Sequence, residues 1–172
     1  MTLALPHKLL FAHSVPRPVI EHSLAQRALL AQKKKGTPTS QRKILIVDDE
    51  SSMRLLLRRT LELGLYTVYE AANGTSALRM IEQIDPDIIL LDINLPDMNG
   101  LSILQEIRKS DFTVGVLMVS ALNHRHTIEL AQSAGADGFV GKPYLIKDIL
   151  NAVARLAEQV NTRRTQPMMA EL

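Results

Sequence analysis

From about residue 44 to residue 160, short apolar runs alternate with longer segments in which apolar side chains recur every three or four positions. Residues 44–47, 88–91 and 114–119 are almost wholly apolar. A strand that alternates apolar with polar positions has one wet face, whereas a continuous run of this length has both faces covered. Residues 66–70 are rich in β-formers, and Phe139 with Val140 makes a short fifth candidate strand.

Between these runs the period changes to that of a helix. Residues 51–63 read as the first, with Ser51 or Ser52 in position to cap its N-terminus and Gly64 to end it. Asn73-Gly74 supplies a turn, and a helix over 75–84 stops before Pro86. Residues 101–109 and 127–134 form two more, the latter stopped by Gly135. The last helix shows Leu145, Ile149, Val153, Leu156 and Val160 along one face. Alternating strands and helices with fully apolar strands predict an α/β domain, a parallel sheet covered by helices on both sides.

What ends the strands carries the chemistry. Asp48 and Asp49 close the first run, Asp92 closes the third, and Lys142-Pro143 follows the fifth. In an open parallel sheet the carboxyl ends of all strands emerge on one edge, where ligands bind. Asp48 and Asp92, 44 positions apart, are thus brought to one pocket. Three carboxylates there repel unless a cation or protons compensate. A hard, oxygen-seeking ion such as Mg²⁺ is the natural partner, and Lys142 adds positive charge for a phosphoryl group. Helix capping by Asp48 and Asp49 is the competing explanation, and it does not account for two adjacent acids aimed at a third.

Composition refines this picture in three places. The 172 residues hold no cysteine, which excludes disulfides, zinc thiolates and thiol catalysis and fits a cytoplasmic protein. The net charge of +2 hides an asymmetry: residues 1–43 carry eight Lys/Arg against Glu21 alone, and the remainder twelve Lys/Arg against seventeen acids. A basic arm of +7 therefore precedes a body of −5. Residues 33–43, KKKGTPTSQRK, have no apolar side chain and read as a linker. Residues 1–42 are accordingly expected to be a basic extension and linker, disordered or partly helical, with a short helix available over 19–32 through Ile20, Leu24, Ala28 and Ala31. The folded domain is expected over 43–163, with a short tail at 164–172. No run approaches the ~20 apolar residues of a membrane span, and the first fifteen residues lack a continuous signal-like apolar stretch.

The stretches IVDDES (46–51), LLDINLPDMNG (90–100), MVSA (118–121) and GFVGKP (138–143), in this order and each at a strand end, resemble the receiver domain of two-component response regulators. The resemblance runs from residue 43 to about residue 160, and it is to single-domain, chemotaxis-regulator-like members with an added basic N-terminal extension. It implies a doubly wound, flavodoxin-like sheet of five parallel strands in the order 2-1-3-4-5. It implies Asp92 as phosphoacceptor, and Mg²⁺ held by Asp49, Asp92 and the backbone carbonyl of Asn94, with Asp48 acting mainly through water. Lys142 would contact the phosphoryl group, with a cis bond to Pro143 aiming it inward. Ser120 would donate its hydroxyl to the phosphoryl group, and Phe139 would move inward with it; a plain core Phe is the alternative. Asn94 and Leu122 occupy the positions that tune phosphoryl lifetime, and apolar Leu122 cannot hold an attacking water, so slow loss is expected.

The resemblance further implies a protein that catalyses only its own aspartyl phosphorylation and dephosphorylation and is otherwise not an enzyme. A sensor histidine kinase or histidine phosphotransfer protein would donate, and a downstream target protein would bind the phosphorylated form. Two other readings stay open: a phosphorelay intermediate or phosphate sink, and a nucleic-acid-associated regulator acting through Lys33-Lys34-Lys35, Arg42 and Lys43. The basic stretch has no aromatic residue for base stacking, so such binding would be nonspecific. No nucleotide-binding G-x-x-x-x-G-K-[ST] loop occurs, and His124 and His126, two apart, do not share a helix face.

Overall fold

The computed structural model describes residues 41–110 and 113–165. The candidate helix over 19–32, residues 1–40 of the basic arm and the end of the tail lie outside the described residues. Strands β1 (Lys43–Val47), β2 (Thr67–Ala71), β3 (Ile88–Leu91), β4 (Gly115–Ser120) and β5 (Gly138–Gly141) alternate with helices α1 (Ser51–Leu63), α2 (Gly74–Ile84), α3 (Gly100–Ser110), α4 (Arg125–Ser133) and α5 (Ile146–Thr165). The strands form one parallel sheet in the order β2-β1-β3-β4-β5, as expected. Among the described residues no helix is long and apolar enough to cross a membrane.

The apolar runs are buried on both faces, and their side chains divide by parity. Ile44, Ile46, Ile88, Leu90, Leu117 and Val119 pack with Leu57 and Leu61 of α1 and with Ile149, Val153, Leu156 and Val160 of α5. Leu45, Val47, Ile89, Leu91, Val116 and Met118 point the other way, to Ala77 of α2, to Ile103, Leu104 and Ile107 of α3, and to Ala131 of α4. Each such fully buried Leu or Ile contributes about 1.5–3 kcal/mol. Slipping a strand by one residue would exchange the two sets, so the register is held from both sides.

Four local features differ from the sequence reading for a visible reason, apart from shifts of one or two residues such as β4 (Gly115–Ser120 against 114–119) and α4 (Arg125–Ser133 against 127–134). Neither Ser51 nor Ser52 caps α1; the cap position is Glu50, whose backbone N–H donates to Asp48 Oδ1 at 2.9 Å. Asn73-Gly74 is a helix start rather than a free turn: Asn73 Oδ1 accepts from the Ser76 N–H at 2.8 Å, and Gly74 opens α2. Strand β2 begins and ends one residue later than the β-forming run, with Leu65 taking the left-handed conformation (φ 64°) after Gly64. Leu145 is not on the buried face of α5; it precedes the helix and is 61% exposed.

The opposite, N-terminal edge of the sheet carries its own polar ties. Arg108 donates to the carbonyls of Val114 and Gly135 and to Asp137 Oδ2 at 2.8–2.9 Å, and Asp137 also accepts from the Val116 N–H and from Arg163. Asp87 accepts from the Lys43 N–H at 2.7 Å and from Arg164 in the last turn of α5. These bonds hold β1, β3, β4 and β5 to the ends of α3 and α5 and leave the C-terminal edge free for other work.

Candidate functional site

At the C-terminal edge, β1 and β3 lie side by side with Val47 level with Leu91, so the residues that follow each strand meet. Asp48 and Asp92 are 2% and 5% exposed, while Asp49 is exposed. Carboxylate oxygens of all three lie within 4.8 Å of one another, and among the described residues this is the one gathering of side chains suited to hold a metal ion. The backbone locks the loops in place: the Asp92 N–H donates to Val47 O at 2.9 Å, and the Asp48 N–H to Ala71 O at 3.2 Å.

Lys142 arrives from the end of β5 and bridges two of the acids. Its Nζ donates to Asp48 Oδ2 at 2.7 Å and to Asp92 Oδ2 at 2.6 Å. The Lys142–Pro143 bond is cis. Burial alone would lower the lysine's pKa; the hydrogen bonds to Asp48 and Asp92, together with their charges, outweigh it and raise the pKa above its ordinary value. The ammonium is thus a stable positive charge. Against three carboxylates it leaves a formal charge of −2, which one divalent cation would cancel.

The remaining expected residues fall around this cluster. Asn94 is exposed, and its N–H donates to Asp92 Oδ1 at 3.2 Å, which orients the carboxylate. Ser120 is fully buried at the end of β4, where its carbonyl accepts from the Lys142 N–H at 2.8 Å. The Leu122 N–H points back at Ser120 Oγ at 3.4 Å, and the Leu122 side chain is 37% exposed. Phe139 is half-buried on β5 beside Met118 and packs on the α2–α3–α4 side of the core. Ser120 and Phe139 therefore sit on neighbouring strands.

Several residues to which the sequence reading gave no role shape the site. Arg54 donates to the carbonyls of Asp48 and Asp49 at 2.8 and 3.0 Å, tying α1 to the acidic loop. Tyr144 sets its hydroxyl against Met53 Sδ at 2.8 Å and closes the cluster on the α1 side; burial pushes its phenol up to about 12. Asp97 accepts from the backbone N–H groups of Gly74 and Thr75 and from the Thr75 hydroxyl at 2.6–2.8 Å. These bonds, the hydroxyl foremost, hold its carboxyl down to about 2. Gly100 opens α3 so close to the loop that a Cβ there would lie 2.1 Å from the Asp92 carbonyl oxygen. Only glycine fits beneath the acid.

The donor set suits Mg²⁺. All three groups are hard oxygen ligands, and oxygens bound at 2.0–2.1 Å to one ion stand roughly 3–4 Å apart, a small contraction from the arrangement seen.

Comparison with known proteins came out in one direction. The model of the response regulator receiver domain matches residues 44–154. The chain is 33% identical over 113 residues to the chemotaxis protein CheY of Halobacterium salinarum, covering 66% of this chain and 94% of that protein. It is 33% identical over 131 residues to the nitrate/nitrite response regulator protein NarL of Escherichia coli, covering 74% of this chain but only 61% of NarL. The solved structure of a CheY-like response regulator receiver domain protein from Methanospirillum hungatei superposes with a TM-score of 0.69 at 29% identity, over 72% of this chain and 98% of that one.

Proposed function

Given that this chain belongs to the response regulator receiver domain family of two-component systems, we propose that it accepts a phosphoryl group on Asp92 and signals through protein contacts that the modified form favours. The observation that carries the reading is the Lys142 bridge to Asp48 and Asp92 beside exposed Asp49. It is an anionic pocket, open to solvent on one side, with a fixed cation at the acceptor.

The chemistry follows from the atoms in place. A carboxylate oxygen of Asp92 attacks phosphorus of a phosphohistidine donor, the P–N bond breaks with its electron pair going to the imidazole, and an acyl phosphate remains on Asp92. Lys142 Nζ, already 2.6 Å from Asp92, is placed to follow the phosphoryl oxygens and balance their charge. Asp48, Asp49, Asp92 and the Asn94 carbonyl are the residues to hold Mg²⁺, which when bound neutralises carboxylate and phosphoryl charge. The hydroxyl of Ser120 donates to a phosphoryl oxygen, drawing β4 toward Asp92, and Phe139 moves inward with it. Such a two-position element is what a switch requires.

Leu122 supports a switch over a phosphate sink: an exposed apolar side chain next to Ser120 gives an attacking water nothing to bind. A cytoplasmic histidine kinase or phosphotransfer protein is the donor in this reading, and a target protein the receiver of the signal. The test is incubation of the full chain with acetyl phosphate and Mg²⁺, read by intact-mass spectrometry. One phosphoryl adduct, lost with Asp92→Ala and with chelator, is the expected result. An unmodified protein, or an adduct that survives Asp92→Ala, overturns the assignment.

A further inference from the structure

Helix α1 wears leucines on the wrong side. Its core face is Leu57 and Leu61, yet Leu55, Leu56 and Leu63 are exposed, Leu63 to 74%. At about 100° per residue these three lie within about 100° of arc, centred opposite the buried pair, with Arg59 among them. Leu65, about half exposed, continues the stripe beyond the helix end. Scattered surface leucines need no explanation, but an aligned series on an outward helix face does.

The chain itself supplies a partner at this spot. The Thr67 N–H donates to Arg42 O at 2.9 Å, and the Thr67 hydroxyl to Gln41 Oε1 at 3.2 Å, so the N-terminal segment leaves the domain two residues from Leu65. Ahead of it lie the linker residues 33–40 and then residues 19–32, whose Ile20, Leu24, Ala28 and Ala31 form one apolar row at helical spacing. Eight extended linker residues reach about 27 Å. Helix α1 with its 13 residues is about 20 Å long, and a helix over 19–32 about 21 Å, so tether and lengths match.

We propose that residues 19–32 fold back as an amphipathic helix onto the Leu55–Leu56–Leu63–Leu65 stripe of α1 of the same molecule. A segment too short to be helical alone gains its helix from the surface it covers. The tether favours this occupant over any partner in solution, because a short flexible linker sets an effective concentration on the order of millimolar. Even a contact of modest affinity is then mostly closed. Glu21, the arm's only acid, is in the docking segment, where Arg59 of the stripe is its natural counter-charge.

The absence of cysteine makes the test clean. Gln26→Cys in the full chain, on the side of that helix away from the apolar row, carries a spin label, and the amide resonances of α1 are read with the label oxidised and reduced. Selective broadening over residues 55–65, unchanged on tenfold dilution, is the expected result. Hydrogen exchange should show residues 19–32 slowed about tenfold relative to an open chain, as for a contact closed about nine-tenths of the time. Leu56→Asp, an exposed site that leaves the core intact, should restore open-chain rates there. No broadening over α1, broadening that disappears on dilution, or exchange unaffected by Leu56→Asp each overturns the proposal. Neither readout involves phosphorylation, so the outcome is independent of the role assigned to Asp92.

Discussion

Replacing Lys142 by methionine keeps most of the side-chain volume and removes the ammonium that Asp48 and Asp92 share. Both acids are then left nearly buried, at 2% and 5% exposure, with only carboxylates of the cluster beside them. Removing one partner from a buried ion pair costs about 3–5 kcal/mol, because the remaining charge stays desolvated. Here Asp49 keeps one side of the cluster open to water, so the lower end applies, about 3 kcal/mol. For a domain of this size each kcal/mol moves the melting temperature by roughly 3–4 °C, giving a loss of about 10 °C. The assay is urea and thermal unfolding of wild type and Lys142→Met, first in chelator and then across a Mg²⁺ titration. If charge is the cause, the gap narrows as Mg²⁺ is added, since the cation replaces the ammonium and ligand at a hundredfold excess over its Kd stabilises by about 2.7 kcal/mol. Combining Lys142→Met with Asp92→Asn should recover part of the loss, because one of the stranded charges is gone. A variant as stable as wild type in chelator would refute the reasoning. So would a loss of the same size with and without Mg²⁺, which would mark lost packing.

Other positions give independent tests. Leu122→Glu should shorten the lifetime of the Asp92 adduct by giving the attacking water a hydrogen-bond partner; equal decay rates by phosphoprotein gel or mass spectrometry would remove that role. Asp97→Asn should remove an acid-dependent share of stability: with its pKa lowered from 3.8 to about 2, wild-type Asp97 stabilises the fold above pH 3.8, and the contribution fades as pH falls through about 2. Unfolding midpoints measured between pH 6 and 2 should therefore converge for the two proteins at the acid end. Gly100→Ala should cost at least about 2 kcal/mol by urea unfolding and impair phosphorylation, because a Cβ 2.1 Å from the Asp92 carbonyl must displace backbone. Arg108→Met should cost about 3 kcal/mol by the same buried-pair argument, but with no response to Mg²⁺.

The strands were legible because burial on both faces forces unbroken apolar runs, and no tertiary detail is needed to see residues 44–47 or 88–91 as such. The gathering of Asp48, Asp49, Asp92 and Lys142 was legible for a topological reason: parallel strands send every C-terminal residue to the same edge. What stayed hidden depends on contacts between segments distant in sequence. Asp97 pins the start of α2 from 22 and 23 residues away, and nothing local distinguishes it from any loop acid. Leu145 fits the period of α5 but lies in the loop before it, because periodicity marks a face and not a boundary. Asn73-Gly74 reads equally as a turn or as a helix start, and the choice is made by the Ser76 N–H that Asn73 accepts.

The two edges of the sheet show why charge balance separates scaffold from site. At the N-terminal edge the carboxylates are matched by cations within the chain, Asp137 by Arg108 and Arg163 and Asp87 by Arg164, with the neutral Lys43 N–H as a further donor to Asp87. Nothing there calls for a ligand, and neutralising any member should only destabilise. At the C-terminal edge three carboxylates meet one lysine, and the imbalance persists in the folded chain. An apolar or balanced set would make a firmer fold, so the excess charge is a cost that only binding recovers. Neutralising Asp49 should therefore raise stability in chelator while weakening Mg²⁺ binding, which a denaturation midpoint and a Mg²⁺ titration of the same Asp49→Asn sample will read together. A drop in stability in chelator would mean the acid is structural, and the distinction between the edges would fall with it.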